Sequence, residues 1–306
     1  MSCLDAAGSQ FQGVDNTMKQ RRRFAGAVKL PLFSLALIAG ITVNACRGNE
    51  TGDDDGGISD SRDDSESTVN TGNDNNNNVA CESNGADDKF SFFLTSWYHI
   101  QLLSGSSDGF GGDLRYNNAA TGIAGADAIC QEIASRVCFG HLTWRAFLST
   151  STQDAIDRIG DGPWYDWSGA LVATDLSGLT QGDRPAGGCC DSGIYDELGI
   201  FHNGQSDVNN DGQPDDDHDV LTASDEQGRY AGFSCDDWTS TTATGGERSS
   251  GPTCGHSWPA NSGRHWISAH SASGCAAEVN FIQDGRGSGN GVGSGGGYGG
   301  IYCFAE

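Results

Sequence analysis

The feature that most constrains this chain is its eleven cysteines, set in 306 residues that carry a formal charge of −24. A cytosolic chain rarely keeps so many thiols, so the set points to an oxidising compartment. The spacing argues against zinc fingers: no CxxC pair exists, and no histidine stands at finger spacing from a cysteine pair. The cysteines therefore read as bridges, doing part of the work that a larger hydrophobic core does elsewhere. The charge comes from 41 acidic against 17 basic residues. A surface that negative repels phosphate backbones, so nucleic acid is excluded as a partner.

The second cysteine sits at the end of an export signal. Lys19, Arg21, Arg22, Arg23 and Lys29 form a positive segment, followed by an apolar core at residues 30–43. That core is too short to cross ~30 Å of hydrocarbon, which needs about 20 helical residues, but it suits a signal peptide. It ends in Val43-Asn44-Ala45-Cys46, which resembles the bacterial lipobox, with Cys46 as the lipidated residue. An ordinary signal peptide, or a signal anchor that happens to end near a cysteine, is the alternative. Residues 1–45 are thus the leader, with a second start at Met18 and no pattern in residues 1–17. Two or three acyl chains on Cys46 suffice to hold a soluble domain on a lipid bilayer. Arg47 in place of an aspartate favours the outer membrane if an enteric-type sorting rule applies. Residues 46–89 then form the anchor and an acidic tether, with Asp53-Asp54-Asp55, Asp63-Asp64 and four successive asparagines at residues 75–78. With almost no apolar residues the tether is expected to stay disordered, reaching on the order of 35–40 Å as a flexible coil.

Folded structure is expected at residues 90–306. Phe92-Phe93-Leu94 and Trp97-Tyr98 read as an opening strand. Residues 124–137 predict a helix, because Ala126, Ile129, Ile133 and Val137 fall on one face. Residues 144–148 form a short strand, and Ser151 with Asp154 reads as the capping box of a second helix bearing Ile156 and Ile159. Beyond Gly160 the chain is loop-rich, with brief strands near residues 170–173, 266–268 and 301–304. The glycine-rich run at residues 287–300 reads as a tight loop, not a phosphate cradle, because it does not link a strand to a helix. The expectation is one α+β domain of two early helices, short, mostly antiparallel strands and long, disulfide-stapled loops.

Seven motifs in order carry a family resemblance. They are Gly125-Ala126-Asp127-Ala128-Ile129-Cys130, Trp144-Arg145-Ala146-Phe147-Leu148-Ser149, RIGDGPW at residues 158–164, Cys235-Asp236-Asp237-Trp238-Thr239-Ser240, Gly255-His256-Ser257-Trp258-Pro259, SGGGYGG at residues 294–300 and terminal Ile301-Tyr302-Cys303-Phe304. Together they resemble the endostatin-like domains of bacterial surface lipoproteins, relatives of the C-type-lectin-like fold. The resemblance covers about residues 90–306 and implies paired N- and C-terminal strands, but no chemistry. It also implies bridges Cys130–Cys303 and Cys235–Cys275. Of the remaining five, Cys81 is expected to be left over. Adjacent Cys189 and Cys190 are either a vicinal bridge or, the favoured reading, joined to separate partners such as Cys138 and Cys254.

The sharpest local motif is an acidic loop. Asp207, Asn209, Asp211 and Asp215 occupy positions 1, 3, 5 and 9 of a calcium-loop spacing, with Gly212 at position 6. Position 12 is His218, and Asp219 stands one place late. These five residues are the candidate calcium ligands; a solvated acidic loop is the competing reading. Gln213-Pro214-Asp215 also spells a tripeptide used by sugar-binding C-type lectins, though the companion Trp-Asn-Asp motif is missing. Trp164, Trp167, Trp258 and Trp266 are candidates for stacking on sugars, with core roles more common for such residues. Enzyme motifs are lacking: there is no GxSxG elbow and no HExxH pair among the seven histidines. The expected function is a membrane-anchored lipoprotein whose domain binds or adheres to an extracellular protein or glycan. A calcium-dependent lectin and a secreted hydrolase with an unrecognised carboxylate site are the alternatives.

Overall fold

Three successive apolar residues begin the sheet as β1 (Phe92–Leu94), and the chain then turns at once into a helix. Ser96 accepts a hydrogen bond from the His99 backbone N–H, and Gly105 closes the helix with φ 66°. Trp97 and Tyr98, expected in the strand, therefore open α1 (Trp97–Ser104). The next helix, α2 (Gly122–Arg136), is capped by Thr121 and buries Ala126, Ile129 and Ile133, the face expected from their spacing. The expected helix after Ser151 is only a turn, Ala155–Asp157. Its capping groups serve tertiary partners: Ser151 donates from N–H and Oγ to Asp237, and Asp154 accepts from the Tyr230 N–H.

The remaining strands are β2 (Trp144–Ala146), β3 (Trp164–Tyr165), β4 (Leu171–Ala173), β5 (Ile194–Tyr195), β6 (Phe201–His202), β7 (Asp219–Leu221), β8 (Thr253–His256), β9 (His270–Ser271) and β10 (Gly297–Ala305), with two short helices, α3 (Leu176–Thr180) and α4 (Cys235–Trp238). The computed structural model describes residues 85–244, 251–258, 264–282 and 289–306. The leader, Cys46, most of the tether and Cys81 lie outside the described residues. Among the described residues no helix is long and apolar enough to cross a membrane.

The main sheet runs β1-β10-β7-β8-β9, and β2 also pairs with β10. Its centre is β10, the last strand of the chain. Phe304 stands opposite Phe92 on one side and Arg145 on the other, both antiparallel, while the first half of β10 runs parallel to β7. The glycine run expected as a loop thus supplies part of the central strand, with a register shift between Gly297 and Gly300. Every residue of β10 is buried. Alternation sends Ile301, Cys303 and Ala305 to the side packed by α2, and Tyr302 and Phe304 to the side holding Phe92, Phe147 and Trp266. Each such aromatic or aliphatic side chain contributes about 1.5–3 kcal/mol on burial. Trp164 and Trp266 belong to this core and offer no face to a sugar; Trp167 and Trp258 are half-buried.

Cys130 on α2 is bridged to Cys303 on β10, and Cys235 to Cys275. Cys189 and Cys190 form the vicinal bridge, so the favoured reading of separate partners is corrected. The bridge follows the chain because sequence neighbours stay together whatever the loop does. Cys138 is also disulfide-bonded, and Cys254 is a free, buried thiol. The result is a mixed α+β domain of few helices, short strands and disulfides.

Candidate metal centre

The acidic stretch expected to bind calcium is held by hydrogen bonds of its own side chains. Asp207 accepts from the Asp211 and Gly212 N–H groups, Asn209 from Asp211 and Asp211 from Gln213. Asp215 is buried and accepts from the Val208 and Asn209 N–H groups. The oxygens thus tie their own loop, and these residues do not converge with Asp219, which belongs to β7. Gln213 of the lectin-like tripeptide is exposed. Asp237, in the reversed Asp-Asp-Trp, holds Ser151.

The next residues face inward and diverge. Asp216 accepts from His218 Nδ1, and Asp217 pairs with buried His202. His218 and Asp219 enter a cluster with His256 of β8 and His270 of β9. One ligand atom from each of these four residues lies within 4.8 Å of every other, and no second such group occurs among the described residues. The sheet register makes the meeting: Asp219 stands opposite His256, and His270 opposite Cys254 one strand further out. His256 Nε2 is 3.2 Å from His270 Nε2, and Asp219 Oδ1 is 3.1 Å from His218 Nε2 and 3.0 Å from His270 Nε2. Neither approach to Asp219 is aligned as a hydrogen bond, so both of its oxygens are buried without a donor. Leaving such oxygens unsatisfied is costly in a site only 2% exposed.

The surroundings prepare the rings. Asp216 fixes a proton on His218 Nδ1 and so leaves Nε2 for the centre; the Ser271 carbonyl lies 3.3 Å from His270 Nδ1 in the same role. Trp258 stacks on His218 at 5.7 Å. The backbone of Gly295 lies against Asp219, and a Cβ on Gly296 would come within 2.7 Å of His218 Cε1. Glycine at these two places lets the chain pass over the donors. Burial, and next the charge on His218, drives His256 down to about 3, so it stays neutral as a ligand must. Burial opposes charge on His218, but the Asp216 and Asp219 carboxylates beside it lift it to about 9, so an ion must displace a proton to bind there. Burial works against the Asp219 carboxylate too, yet the His218 and His270 rings hold it below the usual range.

Chemically, the set is three imidazoles and one carboxylate. CxxC pairs and helical His spacing, the local signatures of zinc, are absent; the donors come from β8, β9 and the start of β7, spread over residues 218–270, and only the adjacent His218-Asp219 is a local feature. A comparison with protein-family models finds no match to this chain, and a comparison with curated proteins finds none.

Proposed function

We propose that this chain is an exported, membrane-tethered domain that binds a divalent transition-metal ion through His218, Asp219, His256 and His270. The carrying observation is the buried convergence of these donors around an Asp219 carboxylate that lacks a hydrogen-bond donor. Three nitrogens favour an ion of the zinc class over calcium, which takes six to eight oxygens. Donors ~2.0–2.1 Å from a tetrahedral Zn²⁺ lie about 3.3 Å apart; three of the six donor pairs stand at 3.0–3.2 Å, and all lie within 4.8 Å.

Export is supported by the leader and by the disulfides of the domain. The C-type-lectin-like, endostatin-like relationship is supported by the paired first and last strands and the bridges at Cys130–Cys303 and Cys235–Cys275. Anchored through Cys46 on its stalk, the domain presents itself to an extracellular protein or glycan; a binding screen with and without chelator separates ion-dependent from ion-independent recognition. Calorimetric titration of the full chain with Zn²⁺ and with Ca²⁺ tests the metal reading. Zn²⁺ is expected to bind at one site and Ca²⁺ not to bind there. His218→Ala or His256→Ala should weaken Zn²⁺ at least a hundredfold, and unchanged affinity in both variants overturns the assignment.

A further inference from the structure

We infer that the bound ion is coordinatively saturated by the chain and acts as a staple, fastening the β9 edge of the sheet to β7 with no position left for water or substrate. This rests on the reading that the centre binds an ion, and adds what the ion does there. Four side-chain donors fill a tetrahedral shell, the arrangement of structural zinc, whereas catalytic zinc keeps three and a water. The enclosure agrees with the count. His218 and Asp219 are each 2% exposed and His256 is 5% exposed. Gly295 and Gly296 cover one side, and Trp258 lies between His218 and the Gly204 backbone. The His270 side chain, 32% exposed, forms the rim.

The topology gives the staple its purpose. β9 is two residues long and holds to β8 through Thr253↔Ser271 and Cys254↔His270, too little pairing for a stable edge by itself. An ion bound to His218 and Asp219 of the β7 segment, His256 of β8 and His270 of β9 crosses all three strands. Asp216 is the positioning residue: by holding the proton on His218 Nδ1 it keeps Nε2 directed at the ion.

The test uses the full chain loaded with Co²⁺, whose visible spectrum reports coordination number. A strong tetrahedral absorption that azide leaves unchanged is expected, together with azide sensitivity in His270→Ala, where one position is opened. A weak five- or six-coordinate spectrum, or one that azide shifts in the unaltered chain, overturns the closed centre while leaving metal binding in place. Absence of any Co²⁺ and Zn²⁺ binding overturns the underlying reading instead. Hydrogen exchange supplies the second measurement: chelation should speed exchange of amides in residues 253–256 and 269–272 at least tenfold, with β1 and the end of β10 unaffected. Uniform change across the sheet, or none, removes the staple. Asp216→Asn should weaken Zn²⁺ by about 10–100-fold with the tetrahedral spectrum retained, and Asp216→Glu should restore part of the affinity. Full affinity in Asp216→Asn removes its positioning role.

Discussion

At the scale of single residues, this domain buries a subset of its acids. Asp196, Glu197, Asp215, Asp217 and Asp219 are all buried, and each meets histidine or backbone N–H groups. Glu197 accepts from the Ser96 N–H and lies beside His99. His202 stands between Asp217 and Asp196, the latter 3.2 Å from Nε2. Burial disfavours its charge, but the carboxylates prevail and lift His202 to about 10, while burial raises Asp196. Replacing His202 by leucine would strand two buried carboxylates, at an expected cost of about 3–5 kcal/mol in denaturant unfolding. The pH dependence has a definite sign. His202 binds its proton more tightly folded than unfolded, so its contribution is complete below its ordinary value of 6.5 and is lost as pH rises toward about 10. Stability should therefore fall between pH 6.5 and 10, and His202→Gln should flatten that decline; an equal slope in both chains contradicts the assignment.

At the scale of elements, local signals were reliable where the element is self-contained. The α2 face was readable because helical period and burial coincide at Ala126, Ile129 and Ile133. α1 was missed although its signals, Ser96 before it and Gly105 after it, are local; the aromatic pair Trp97-Tyr98 outweighed them. The turn after Ser151 failed as a helix because Asp237 and Tyr230, both more than seventy residues away, take its capping groups. The Cys130–Cys303 bridge ties α2 to the central strand across a separation of 173 residues. Closing so long a loop is worth about 5 kcal/mol in the chain-entropy description. Replacing both cysteines by serine should lower the denaturation free energy by that order, and a loss below about 1 kcal/mol would mean the unfolded chain gains little freedom.

At the scale of the whole molecule, the charge and the proposed anchorage are separate questions. Most acids of the described residues are not buried, and Asp157, Asp183 and Asp191 are exposed, so the buried pairs take up only part of the charge. Whether the chain is fixed to a bilayer is decided at Cys46: Cys46→Ala should abolish incorporation of radiolabelled fatty acid, and retained labelling would remove the anchor.

The sequence by itself determined the α+β class and the main helix, because these follow from composition and from spacings within a few residues. The tertiary structure alone decided that a glycine run becomes the central strand and that His218, Asp219, His256 and His270 share one centre. Those outcomes depend on strand register between β7, β8, β9 and β10. Register joins residues separated by fifty or eighty positions, and no local periodicity records it.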